Sequence, residues 1–358
     1  MQMERQTGEL SSTPCSFAPT GKYVKSAIAR RFGTKLATAY LTVLDMIAIS
    51  PISAVHGLIS PTLLFFTGFL ALRGQAVNEK PFTITAHAEL VLLDVSVKEA
   101  KGGYISDLKK ENFQVYENGK LQTISQFSSE DTPITVGLVI DDSRSMKPKR
   151  VDVVNSALAF IDASNPQDEM FVTHFNDRVR RGLPAGIAFT ADQNLLRTAL
   201  WNSPVDGMTS LYDGILDALH QLDSGRQAKK SLVIITDGGD NASTHGFNDV
   251  LEAVRSTRAI LYLIGVFDIL DPDRNPGLLR RLAAISGGVA YLPQDLQELP
   301  AICRGIAKDI RNRYAIGYVP VRTGGKSSLR TIKVSVKGAG DRKLVVHARS
   351  SYLLPELP

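Results

Sequence analysis

The feature that most constrains this chain is a set of strand-length, largely apolar runs: Ile134 to Ile140, Met170 to Phe175, Leu232 to Thr236 and Ala259 to Val266. A strand with one wet face alternates polar and apolar residues, so runs of this kind belong to strands buried on both sides. Between them lie segments with helical spacing. Val151, Val154, Leu158 and Ile161 mark one, Leu211 to Leu222 a second, Val250 to Arg255 part of a third and Leu278 to Ile285 a fourth. A short strand at Val289 to Leu292 and an amphipathic helix carrying Leu299, Ile302, Cys303, Ile306 and Ile310 close the series. The alternation predicts an α/β fold, a doubly wound, mostly parallel sheet covered on both faces.

Three oxygen-bearing pieces sit where such a sheet places a ligand site, at or near the ends of strands. They are Asp141-Asp142-Ser143-Arg144-Ser145 after the first run, Thr209 within Gly207 to Asp213, and Asp237 after Leu232 to Thr236. Carboxylates and hydroxyls alone suit a hard divalent cation, Mg²⁺ before Mn²⁺ or Ca²⁺. The competing reading is a pair of serines that merely start a helix.

Asp141-x-Ser143-x-Ser145 fits the D-x-S-x-S pattern of von Willebrand factor A-type domains. The resemblance continues through Phe175-Asn176-Asp177, Thr209 and Thr236-Asp237-Gly238, and spans Pro133 to Ile310. It implies that Ser143, Ser145 and Thr209 touch the metal directly, while Asp141 and Asp237 hold it mostly through water. It also implies metal-dependent adhesion, with an Asp or Glu carboxylate of a partner protein completing the shell. Arg144 departs from the pattern, since many members carry Gly there. A long cationic side chain beside the metal is expected to weaken binding or to meet the ligand.

Both flanks read as strands without helices. Glu89 to Val97 and Phe113 to Tyr116 precede the α/β region, and Asn118-Gly119 is a strong two-residue hairpin signal. Tyr314 to Val319, Leu329 to Val336 and Lys343 to Ala348 follow it. Each flank is too short for its own core, so the two are expected to complete one small β-sandwich; independent β extensions are the alternative. The expected division is a leader over 1–76, the N-terminal part of the β domain over 80–130, the A-type domain over 131–310 and the completing strands over 311–358. This layout resembles that of the A-domain-related proteins of Acidobacteria.

Residues 1–76 combine a basic stretch (Lys22, Lys25, Arg30, Arg31, Lys35) with apolar runs at Leu36 to Val55 and Leu58 to Leu72. Gly74-Gln75-Ala76 then resembles a signal-peptidase site. Export to the periplasm, the surface or the medium is expected, an uncleaved N-terminal membrane anchor being the alternative. Membrane contact is expected through this segment alone. The segment holds seven Lys and Arg against three Asp and Glu, so of the whole-chain charge of +5 only +1 remains without it. Nucleic-acid binding therefore has no electrostatic footprint. Cys303 lies on the apolar stripe of the last helix and reads as a buried hydrophobe.

No G-x-S-x-G elbow, H-E-x-x-H helix or phosphate-cradling loop occurs in the sequence. A serine hydrolase would have to recruit Ser143 or Ser145 with His174 or His245, but His174 falls inside an apolar strand and His245 in a glycine-rich loop. The expectation is a binding protein, not an enzyme.

Overall fold

The computed structural model describes residues 90–354 apart from 101, 269–273, 322–327 and 339–342. The leader expected over 1–76 lies outside the described residues. All described residues belong to one compact unit, Phe82–Pro358. It begins with β1 (Val91–Glu99), β2 (Phe113–Glu117), β3 (Lys120–Gln122) and β4 (Ile124–Ser128). Next come β5 (Ile134–Asp141), α1 (Arg150–Ala163), β6 (Glu169–Phe175), β7 (Val179–Arg181), α2 (Gln193–Trp201), α3 (Leu211–Asp223) and β8 (Lys229–Thr236). The α/β region ends with α4 (Phe247–Ser256), β9 (Ile260–Gly265), α5 (Pro276–Ser286), β10 (Ala290–Tyr291) and α6 (Leu299–Arg311). β11 (Arg313–Tyr318), β12 (Ser328–Val336), β13 (Leu344–His347) and β14 (Ser351–Leu354) complete the unit.

The central sheet has the order β10-β9-β8-β5-β6-β7 and is parallel except for the edge strand β7. Every residue of β5, β6 and β9 is buried, which is why their sequences do not alternate. α1 packs on α6, while α3 packs on α4 and α4 on α5. From β5 the chain winds outward to β6 and β7, then returns to lay β8, β9 and β10 on the other side of β5. The carboxyl ends of β5 and β8 thus flank the point where strand order reverses, the crevice that open sheets use for ligands.

The flanking strands form two four-stranded antiparallel sheets, β13-β1-β11-β4 and β14-β12-β2-β3. Between them lies a second core that includes Leu93, Val95, Val97, Val115, Ile316 and Tyr318, all at most 1 % exposed. The β2–β3 turn has Asn118 at φ 48° and Gly119 at φ 77°, the pair of left-handed residues that the Asn-Gly signal requires. β4 and β11 are hydrogen-bonded neighbours, so the α/β region leaves and re-enters the antiparallel sheets at adjacent strands.

A buried charge cluster joins the two cores. Asp309 on α6 accepts from Ser96 Oγ on β1 at 2.8 Å, Tyr262 OH on β9 at 2.6 Å and Arg313 on β11 at 2.7 Å, and pairs with Lys98 at 2.8 Å. Arg313 also donates to the Asp94 carbonyl at 3.0 Å. A buried ion pair needs its remaining lone pairs satisfied to offset desolvation, and both oxygens of Asp309 have partners here. No helix among the described residues is long and apolar enough to cross a membrane.

Candidate metal centre

β5 ends on Asp141, which is fully buried. Its Oδ1 accepts from Ser143 N at 2.9 Å and its Oδ2 from Thr236 Oγ1 at 2.6 Å, tying the end of β5 to that of β8. Burial pushes the Asp141 carboxyl up to about 6; the Thr236 and Ser143 hydrogen bonds pull it down, and the charge of Asp237 adds to the rise.

Beyond Asp141 the chain enters a 3-10 turn, Arg144–Lys149, that leads into α1. Its start brings Ser143 Oγ and Ser145 Oγ to 3.1 Å. Ser145 Oγ donates to Asp237 Oδ1 at 2.9 Å. Lys149, the last residue of the turn, donates from Nζ to Asp237 Oδ2 at 2.6 Å.

Thr209 arrives by its backbone. Its carbonyl accepts from Asn241 N at 3.0 Å and Ala242 N at 3.1 Å, and its N–H donates to Asn241 Oδ1 at 2.8 Å. The Thr209 loop is therefore pinned to the loop that follows Asp237, and a Cβ on Gly238 would lie 3.8 Å from Thr209 Oγ1. Gly207, at φ +89°, lets the loop turn where any Cβ would fall 2.2 Å from Asp177 Oδ2. The Gly207 carbonyl accepts from Arg144 N at 3.1 Å, joining this loop to the first. Hydrogen bonds thus bring the loops carrying all five residues, Asp141, Ser143, Ser145, Thr209 and Asp237, into one network at the sheet crevice.

Beneath the pocket, Asp142 points the other way. Its Oδ1 accepts from Arg150, which also donates to the Leu200 carbonyl at 2.6 Å, and its Oδ2 lies 2.8 Å from His174 Nδ1. His174 Nε2 donates to the Ala199 carbonyl at 2.8 Å. This buried group fixes the end of β5 to α1, β6 and α2. His245 is held by Asp213, Nδ1 to Oδ1 at 2.8 Å. Among the described residues neither histidine hydrogen-bonds to Ser143 or Ser145.

The expectation that Arg144 reaches beside the open position needs correction. Its side chain is 74 % exposed and turns to Asp206, with Nε 2.9 Å from Oδ1, while Lys147 meets the same oxygen at 3.4 Å. The hydrogen bond from Arg144 is the main reason that the Asp206 carboxyl is lowered to about 2. The sequence singles out neither Lys149 nor Arg150, and gives no sign that Asp142 and His174 meet. A lysine four residues past Ser145 carries no signal of its own, because only the 3-10 turn brings it back over Asp237.

The donor set fits a hard divalent cation. Three hydroxyls and two carboxylates supply oxygen alone, and both carboxylates are buried where a positive charge is needed. No group of three or more His, Cys, Asp or Glu side chains that could hold a metal occurs among the described residues. An ion here would therefore depend on the hydroxyls.

The family model for the von Willebrand factor type A domain matches residues 135–304. The match spans a little under half of the chain; domains of that family are typically metal-dependent adhesion and protein-interaction modules and generally non-enzymatic. Among solved structures it is similar to a von Willebrand factor type A protein from Catenulispora acidiphila, at 15 % identity and a TM-score of 0.46, covering 76 % of this chain and 74 % of that one. It is also similar to proximal thread matrix protein 1 from the mussel byssus with a zinc-occupied MIDAS motif, at 15 % identity and a TM-score of 0.45. That match covers 55 % of this chain and half, 50 %, of the mussel protein. A third similarity, to the ArnB paralog VWA2 from Sulfolobus acidocaldarius, has 14 % identity and a TM-score of 0.40 and covers 75 % and 76 % of the two chains. No curated protein matches the sequence.

Proposed function

We propose that this chain is an exported, metal-dependent protein-binding module. In this reading Ser143, Ser145 and Thr209 hold a divalent cation, Mg²⁺ in the first place, with Asp141 and Asp237 behind them. The observation that carries it is the meeting of the buried Ser143 hydroxyl, the exposed Ser145 hydroxyl and the buried Asp237 carboxylate at the crevice of the sheet. When bound, the ion would supply an electrophilic position for an Asp or Glu side chain of a partner protein. The chain's own contribution is to keep the direct ligands neutral. Hydroxyl ligands leave more of the ion's charge for an incoming carboxylate than a shell of carboxylates would.

Export rests on the basic stretch and apolar runs of residues 1–76, and kinship with the A-domain-related proteins of Acidobacteria on the order of the sequence motifs. The domain division 1–76, 80–130, 131–310 and 311–358 is part of the same proposal.

Pull-down from an extract of the native host, with Mg²⁺ and with EDTA, tests the binding mode. Partners retained in Mg²⁺ and lost in EDTA, and lost in Ser145→Ala, are expected. Partners held at full strength in EDTA would favour a scaffold whose metal is purely structural. For export, intact-mass analysis of protein from the native host should place the N-terminus near Val77. Mature chains that begin at Met1 in the soluble cytoplasmic fraction would contradict it.

A further inference from the structure

Among the described residues Lys149 is the cation paired with Asp237. Its side chain is 14 % exposed, that of Asp237 is 1 % exposed, and their charged atoms are 2.6 Å apart. Ser145 Oγ engages the other oxygen of the same carboxylate at 2.9 Å. Both oxygens of Asp237 are thus occupied by donors from a single short segment, the 3-10 turn that also follows directly from Ser143.

Charge explains why a lysine stands there. Two buried aspartates side by side repel each other, and Asp237 already contributes to the raised pKa of Asp141. An ammonium 2.6 Å from Asp237 offsets part of that repulsion without any ion. A divalent cation that recruits Asp237 must come within a few ångströms of Nζ, where two like charges of this size interact strongly in a partly desolvated site. The backbone of Lys149 cannot retreat, because the next residue, Arg150, is bound to Asp142 and to the Leu200 carbonyl. Its four-carbon stem is flexible, and the side chain retains 14 % exposure to solvent.

We propose that Lys149 is a resident counter-cation of the pocket, which competes with the divalent ion for Asp237. Metal loading then exchanges one cation for another, and Lys149 sets how much free ion the domain needs before it loads. This inference rests on the metal reading given above. It adds a state that reading does not contain, a self-neutralised pocket in which the domain stays folded without metal.

The test uses the folded chain, stripped of metal, with Mg²⁺ as the probe. Calorimetric titration compares the native protein with Lys149→Met, which keeps the length of the side chain and removes its charge. Lys149→Met should bind Mg²⁺ more tightly by about tenfold or more. In EDTA the variant should unfold at a lower temperature than the native protein, and saturating Mg²⁺ should close that gap. Equal or weaker Mg²⁺ binding by the variant, with clear binding by the native protein, overturns the competition but leaves the metal site standing. No binding by either protein overturns both readings. Amine labelling of the native protein followed by mass spectrometry gives a check that needs no variant. Lys149 should label slowly in EDTA and faster in saturating Mg²⁺, and protection that persists with Mg²⁺ bound would overturn the proposal.

Discussion

Ser145 and Asp237 are 92 residues apart in the chain, yet the serine hydroxyl donates to the aspartate carboxylate at 2.9 Å. The contact follows from topology. β5 and β8 are parallel neighbours in register from Ile134 with Lys229 to Ile140 with Ile235, so the segments after them emerge side by side. A short turn after β5 then carries Ser145 over the end of β8. Two sites of opposite chemical character, neutral hydroxyls and a buried carboxylate, are held together by the packing of two apolar strands.

Gly207 shapes the third loop of the pocket. Gly207→Ala would force a Cβ to 2.2 Å from Asp177 Oδ2 at a backbone angle of +89°, and Asp177 cannot move freely because it accepts from Met208 N at 2.8 Å. The substitution should destabilise the protein by about 1–3 kcal/mol in denaturant unfolding and weaken Mg²⁺ binding by displacing Thr209. Unchanged stability and affinity would show that this loop adjusts without strain.

Arg313 and Asp309 connect the two cores. Burial alone would raise Asp309, but the charges of Arg313 and Lys98 outweigh it and hold the carboxyl well below its usual 3.8. Arg313→Met should cost about 3–5 kcal/mol, since it leaves a buried carboxylate without its main partner. Adding Asp309→Leu should recover much of that loss, and urea unfolding of the four proteins in the cycle reads the coupling. Truncation at Asn312 removes Arg313 as well as β11, so it should expose β1 and β2 to protease and weaken the α/β region with them.

The antiparallel sheets carry an alkaline limit. Burial, reinforced by Glu117, raises the phenols of Tyr318 and Tyr352 above their usual 10.0; both donate to Glu117 Oε2, at 2.7 and 2.8 Å. A group whose pKa is raised by folding contributes fully below its unfolded value, and that contribution is lost as pH rises through the folded one. Stability in urea should therefore be flat near neutral pH with respect to these groups and fall by about pH 11. Tyr318→Phe should flatten the fall while costing about 1–2 kcal/mol at neutral pH, because Glu117 loses a donor. An identical alkaline slope in Tyr318→Phe would show that these phenols are not responsible.

Much of this was legible in the sequence wherever burial leaves a pattern. β5, β9 and most of β8 are enclosed on both faces, so their apolar runs predict them to within three residues, with Asp141 closing β5 and Asp237 directly after β8. The Asn118-Gly119 hairpin was legible because a turn with two positive φ angles accepts few residues. β4, β7 and β14 were not: they are short edge strands, β4 and β7 with mixed exposure. α2 buries only Leu196, Ala199 and Leu200, too few to set a clear period, although Asp192 does cap it through the N–H groups of Asn194 and Leu195. In the site, residue type nominates the oxygen donors, but the direction of a side chain is a property of the fold. Arg144 turns outward to Asp206 and Lys149 inward to Asp237, and nothing in the residues themselves distinguishes the two.

The central claim, that these five residues form a cation pocket, is tested most directly by calorimetric titration of Mg²⁺ into the metal-stripped protein and into Thr209→Ala. Among the described residues the Thr209 hydroxyl has no hydrogen bond to the protein, so its loss should cost less than about 1 kcal/mol of stability. The account predicts saturable binding of one ion by the native protein, and binding abolished or severely weakened in Thr209→Ala with the fold intact by circular dichroism. Equal Mg²⁺ affinity in the two proteins, or no binding by the native protein, would contradict it.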